Sequence, residues 1–287
     1  MRVGTVKAIW RYPVKSMAGE LIARGVFDEL GLAGDRGWAL RDEEASEIRG
    51  AKRLPQLMQC QARYVEEPRA GFIPAAEMTL PSGERISTSD PSAARRISEF
   101  LGRTLTLWPR QPKSHLDHYR RGPQVKIEEE FQFVFGRIEG EPQPDLSNAP
   151  AALLQELLEY TSPLGTYFDA FPLTILTTAM MEELGRRNPT ACFEAARFRP
   201  NLVVDTGDVT GFAEFDWCGR TARIGTAAID IVIPSVRCSM TTHATGDLPK
   251  DTSVLRTIVR ESGQNCGVYC NVAAAGAIAV GDAVELI

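Results

Sequence analysis

Between Val3 and Val14 apolar and polar residues alternate loosely (Val6, Ala8, Trp10, Tyr12), the two-residue period of a strand with one face buried. Gly31-Leu32-Ala33-Gly34-Asp35 then supplies a turn, and Trp38-Ala39-Leu40-Arg41-Asp42 reads as the next strand. Short strand-like stretches at 61–66, 77–80, 85–87 and 105–108, separated by proline and glycine clusters, extend this into an antiparallel β-rich unit. One helix interrupts it, with Asp90 as N-cap, Pro91 at the first helical position, Ala94, Ile97 and Leu101 on one face and Gly102 as stop.

The pattern loosens from Pro109 to Pro150, where only Phe131 to Phe135 looks strand-like; this is the expected connecting region. Beyond it, Ser147 caps an expected helix with a stripe of Leu153, Leu154, Leu157 and Leu158, and 179–187 forms another that ends at Asn188-Pro189. Strands are expected at 173–177, 202–204, 221–224, 228–233, 268–272, 277–280 and 283–286. A last helix starts at Asp251 or Thr252, carries Val254, Leu255, Ile258 and Val259 on one side, and stops at Ser262-Gly263. Strands outnumber helices without regular βαβ alternation, so the class is α+β, mostly β, with mixed barrels rather than a doubly wound sheet. The division is 1–110, a connecting region 111–148, and 149–287.

A length of 287 residues with 44% hydrophobic and 24% charged positions suits a globular protein with real cores. A net charge of −5 argues against gripping nucleic acid as the main task. The N-terminus lacks the apolar core of a signal peptide and no apolar run reaches a bilayer span, so a cytoplasmic location without a membrane span is expected. Six scattered cysteines (Cys60, Cys192, Cys218, Cys238, Cys266, Cys270) form no C-x-x-C pair and hence neither a disulfide framework nor a zinc or iron-sulfur arrangement.

No dinucleotide fingerprint, Walker loop, His-Glu-x-x-His or nucleophile elbow is present. His115 and His118 read as a solvated loop, His243 as a polar loop residue or local donor, and Cys266 and Cys270 as core. Cys238 differs, because it follows an expected strand and Pro234 and opens the polar run Ser239-Met240-Thr241-Thr242, with Arg237 beside it to favour a thiolate. Lys15-Ser16, Asp35-Arg36 and Arg199-Pro200-Asn201 all stand next to expected strands. Lys, Arg, Ser and Asn in such loops are the residue types that bind phosphate, as point charge, bidentate fork, or hydroxyl and amide donor.

Taken together, Tyr12-Pro13-Val14-Lys15-Ser16, residues 31–38, Phe198-Arg199-Pro200-Asn201-Leu202, residues 237–242, Gly267-Val268-Tyr269 and Gly276-x3-Val280-Gly281-Asp282 resemble the MOSC-domain proteins that begin with a MOSC N-terminal β-barrel domain, the group of the amidoxime-reducing components. The resemblance implies an N-terminal MOSC β-barrel-like domain followed by a C-terminal MOSC β-barrel with flanking helices. It also implies a molybdenum cofactor (Mo-molybdopterin, with pyridoxal phosphate not expected), in which Cys238 would be the metal ligand and catalytic residue. Lys15, Ser16, Arg36, Arg199 and Asn201 match the positions that hold the pterin and its phosphate, with Thr174, Arg237 and Thr241 as further candidates. The implied reaction reduces a small N-oxygenated substrate. Because no ferredoxin segment follows Ile287, the implied electron source is a separate protein, ferredoxin-like or cytochrome b5-like with a reductase. His243-Ala244 replaces the Asp-Pro that often follows the paired threonines, which bears on substrate preference. Two other readings use the same residues: a persulfide carrier through Cys238, and a non-catalytic module that binds or delivers the cofactor.

Overall fold

Seven strands close into a barrel in the order Leu202–Asp205, Leu173–Thr177, Asn265–Ala274, Ala227–Val236, Arg220–Ile224, Ala283–Leu286 and Arg2–Arg11, with the last pairing back onto the first. This computed structural model describes every residue except Ala70 and residues 124–126, and gives only the backbone at 127 and 128. Closure removes the exposed edges an open sheet would carry. The pairings are antiparallel except for Leu173–Thr177 with Leu202–Asp205, which are parallel and joined through the helix Thr178–Arg187. Thr177 caps that helix, its hydroxyl accepting the Met180 N–H at 3.1 Å. The barrel is filled by aliphatic side chains such as Ile9, Ile175, Ile229, Val268 and Val284, all fully buried.

The chain's first strand is thus part of the barrel that the C-terminal half builds, and Arg24–Asp28 pairs with Gly276–Ala279. The sequence division at 110 does not coincide with a division of the sheet. The rest of the N-terminal half forms two small sheets. One holds Trp38–Asp42, Glu47–Ile48 and Leu105–Pro109, the other Gln61–Tyr64, Ala76–Thr79 and Arg85–Ser87. They share a second core built on Val14, Met17, Leu40, Met58, Met78 and Ile97. Met240 is buried in that same core and Cys238 packs against it, so the loop after Val236 is clamped between the two halves of the chain.

Several expectations need correction. The alternation of the first strand breaks at a bulge between Val6 and Ala8, which turns Ile9 and Arg11 inward in place of Ala8 and Trp10. Residues 131–135 belong to a helix, Ile127–Phe135; Phe131 and Phe135 stand one turn apart with ring centroids 4.5 Å from each other, a contact a strand could not make. Ser147 caps nothing. The residue before a proline disfavours helical geometry, so the helix begins after Pro150 and runs Ala151–Glu159, with Leu158 exposed and no fully buried leucine. In the helix Ala93–Leu101 the buried face is Ala93, Ile97 and Leu101; Asp90 still accepts the Ser92 N–H at 2.8 Å in the turn that leads into it. The short strands Glu20–Ile22 and Arg24–Asp28 had no period to announce them. No helix among the described residues is long and apolar enough to cross a membrane.

Candidate functional site

Where the first strand ends, Tyr12 is fully buried and fixed at both ends, its N–H donating to Asp35 Oδ1 at 2.8 Å and its hydroxyl to the Pro200 carbonyl at 3.1 Å. Two guanidiniums flank its ring, Arg36 at 4.5 Å and Arg199 at 4.2 Å from the centroid. Arg36, Arg199 and Ser16 all have positive φ (46°, 54° and 71°), a backbone state that costs energy in non-glycine residues and collects at functional sites. Asp35 holds the group together, pairing with Arg36 and accepting from Asn201 Nδ2 at 2.9 Å.

Lys15 is buried, and its ammonium donates to the Tyr167 carbonyl and to Asp169 Oδ1, each at 2.7 Å. Burial works against the charged amine and lowers the Lys15 pKa despite that carboxylate. Lys52 reaches the other oxygen of Asp169 at 3.0 Å. Burial alone would raise the Asp169 carboxyl, but the two lysines hold it well below the ordinary carboxylate range. Ser16 Oγ accepts the Ala51 N–H at 2.9 Å, which fixes the next loop against the site.

From the C-terminal half, Arg199 donates to the Met17 carbonyl at 2.5 Å, and Arg237 donates to the carbonyls of Cys266 at 2.7 Å and Phe198 at 3.0 Å. Asn201 is tied to Thr174 in both directions, and the Thr241 hydroxyl closes the turn after the cysteine by donating to the Cys238 carbonyl at 3.0 Å. The main chain of Asn201 also accepts from Trp10 N–H, which locks the Arg199 turn to the end of the first strand.

These residues line a single cavity of about 90 Å³. Lys15, Ser16 and Arg36 reach it from the N-terminal half, Thr174, Arg199 and Asn201 from the entries to two barrel strands, and Arg237, Cys238 and Thr241 from the loop after Val236. Every residue that the resemblance assigned to the metal or the cofactor is therefore on one wall or another of it. Three further residues were missed. Asp169 and Tyr269 line the cavity, and Lys52 stands beside Asp169. Asp169 lies in an irregular stretch without a motif, and only its place just ahead of the strand at Leu173 could have drawn attention to it.

The donor set suits a ligand with several anionic oxygens. Arg199 and Arg237 are buried with no carboxylate bonded to them, and each leaves Nη2 without a partner among the described residues. A buried unpaired donor carries its full desolvation cost until something accepts from it. Burial first, and then Arg36, lowers the Arg199 pKa to about 10, the mark of a cation short of counter-charge. A half-buried thiol on the same wall adds a soft donor.

The Arg237 guanidinium binds the Cys266 and Phe198 carbonyls, and among the described residues no hydrogen bond joins it to the neighbouring Cys238 thiol. His118 is not a solvated loop residue. It is buried in the short helix Leu116–Tyr119, Nε2 lies 2.7 Å from the Tyr167 hydroxyl, and burial followed by the neighbouring His115 pushes its pKa down to about 4. His243 is half-buried, and its Nε2 has no hydrogen-bond partner among the described residues. Cys266 and Cys270 are core residues, as expected.

The MOSC N-terminal beta barrel domain matches residues 3–90 and the MOSC domain residues 165–285, and the chain belongs to the proteins that join these two domains. Among individual proteins it is similar to the mitochondrial amidoxime-reducing component 1 of Mus musculus, 25% identical over 262 residues, and to that of Homo sapiens, 24% identical over 257. Each alignment covers 84% of this chain and 66% of the relative, so the chain spans just under two thirds of their length. Solved structures that match include the YUAD protein from Bacillus subtilis (11% identity, 99% of this chain and 94% of that one, TM-score 0.45) and YiiM from Geobacillus stearothermophilus (21%, 41% and 54%, TM-score 0.32). With such scores the architecture rests on the strand pairing described above.

Proposed function

We propose that this protein is a molybdenum-cofactor-dependent oxidoreductase that reduces N-hydroxylated compounds with electrons from a separate donor protein. The observation that carries the reading is the meeting of the Cys238 thiol with buried, incompletely partnered cations in one cavity. MOSC membership and the similarity to proteins named for amidoxime reduction support it.

In this reading Cys238 is the protein's ligand to the metal, a soft thiolate suited to a sulfur-rich site. Lys15, Arg36, Arg199 and Arg237 grip the anionic pterin and its phosphate. Ser16 and Asn201 act mainly through their own hydrogen bonds, which keep the Gly50 loop and the Arg199 turn in place. Thr174 and Thr241 complete the wall. When bound, the cofactor would supply two-electron oxygen-atom chemistry for R–NHOH + 2e⁻ + 2H⁺ → R–NH₂ + H₂O. The chain's contribution is to orient that group and to shield it between its two halves.

The test is to express the full chain in a host that makes the cofactor, measure molybdenum and pterin per chain, and assay reduction of a hydroxylamine or amidoxime with a supplied electron source. Stoichiometric metal and turnover, both lost in Cys238→Ser, are expected. Metal-free protein with a free thiol overturns the proposal.

A further inference from the structure

Lys52 belongs to no motif of the sequence, yet the fold holds it firmly against Asp169, which lines the same cavity as Cys238. The turn Gly50-Ala51-Lys52 is locked onto Lys15-Ser16, because Ser16 Oγ accepts the Ala51 N–H and a Cβ at Gly50 would come within 2.6 Å of that same oxygen. Lys52 then shares Asp169 with Lys15, one lysine on each carboxylate oxygen. Two ammonium groups on one carboxylate leave a positive charge in excess.

The trio is also graded by depth. The Lys15 side chain is 10% exposed, Lys52 28% and Asp169 42%, so Lys15 lies at the bottom while Lys52 and Asp169 both reach toward solvent. Asp169 lines the same cavity as Cys238, so the Lys52 ammonium on its outer oxygen stands at the edge of that cavity; burial would lower the Lys52 pKa, but Asp169 and then Cys238 raise it above the ordinary lysine range. The other site cations have different tasks. Arg36 pairs with Asp35, while Arg199 and Arg237 are buried among carbonyls.

We propose that Lys52 is a specificity-determining residue: it gives the mouth of the site beside Cys238 a standing positive charge, and so selects N-hydroxylated substrates that carry an anionic group over neutral ones. The substrate class rests on the reductase reading, whereas the charge at the mouth does not.

Two measurements separate them. In full-length protein from a host that lacks the cofactor, Cys238 alkylation by anionic iodoacetate and neutral iodoacetamide is followed by peptide mass spectrometry. The ratio of the two rates, in which thiolate content cancels, should fall about 3- to 10-fold in Lys52→Gln and hold in Lys52→Arg. In the loaded protein, kcat/KM for 4-carboxybenzamidoxime relative to benzamidoxime should fall by a similar factor in Lys52→Gln and be restored in Lys52→Arg. An unchanged alkylation ratio in Lys52→Gln overturns the proposal outright. A changed alkylation ratio with an unchanged substrate ratio overturns the specificity role. If the alkylation ratio changes but neither compound is turned over by molybdenum-free wild-type protein from the competent host, the charge stands and the reductase reading falls.

Discussion

Arg199 lies 4.2 Å from the centroid of the Tyr12 ring, so an aromatic at the end of the first strand holds a cation delivered from the other half of the chain. The contact matters because Arg199 has no carboxylate bonded to it: its remaining support is the Met17 carbonyl and the ring face. Arg36 covers the same ring and donates to the Arg199 carbonyl at 3.3 Å, which makes Tyr12 the common platform for both guanidiniums.

Replacing that platform separates ring from hydroxyl. Tyr12→Phe keeps the ring and loses the bond to the Pro200 carbonyl, at a cost of about 1 kcal/mol; Tyr12→Leu loses both and costs about 2–4 kcal/mol. Urea unfolding measures the two. Cofactor content should follow the ring, near normal in Tyr12→Phe and reduced in Tyr12→Leu.

Gly267 explains one of the short motifs in purely steric terms. Its φ is +77°, and a Cβ there would sit 2.3 Å from the Ile175 carbonyl oxygen, where the strand Asn265–Ala274 crosses its neighbour. Gly267→Ala therefore combines backbone strain with a clash against main chain that has no room to move. A loss of about 2–4 kcal/mol is expected in chemical denaturation, although residue 267 is not among those that line the cavity.

Cys238→Ser should separate chemistry from folding in the opposite way. The side chain is half-buried against the Met240 side of the N-terminal core and makes no hydrogen bond that the fold depends on. The exchange is nearly isosteric, so the melting temperature should stay within about 5 °C of wild type while bound molybdenum and amidoxime reduction disappear.

How much of this was legible depends on the range of the interaction that decides each element. The strands at 173–177 and 283–286 and the helix over 252–262 carry strong local periods and were readable. The barrel's membership was not, since Arg2–Arg11 joins strands roughly 200 and 280 positions away and its own alternation is broken by a bulge. Among site residues, Lys15, Arg36 and Cys238 stand in compact motifs that proline and glycine punctuate. Asp169 and Lys52 sit in unpatterned stretches and acquire meaning only through each other. For Arg237, adjacency to Cys238 did not announce its hydrogen bonds: successive residues at a strand end point apart, and its guanidinium went to the Cys266 and Phe198 carbonyls.

Glu214 gives the fold a pH dependence that can be read apart from the site's chemistry. The carboxyl is wholly buried, accepts from the Thr177 hydroxyl at 2.8 Å through Oε2, and leaves Oε1 without a partner among the described residues. Burial raises its pKa to about 7, so between its ordinary value and that point the folded state holds a proton that the unfolded chain has released. The folded state then binds more protons, and stability falls as pH rises through this window, levelling off above about 7. Glu214→Gln keeps an acceptor for Thr177 and removes the ionisation. Its unfolding free energy should match wild type near pH 5 and exceed it at pH 8 by on the order of 2 kcal/mol. Urea titrations of both proteins at the two pH values test this. Because the lowered carboxylates, Asp42 and Asp169, give slopes of the opposite sign in both proteins, only the difference between them reports Glu214. A constant difference at both pH values would mean that Glu214 is ionised throughout and owes its place to a partner other than Thr177.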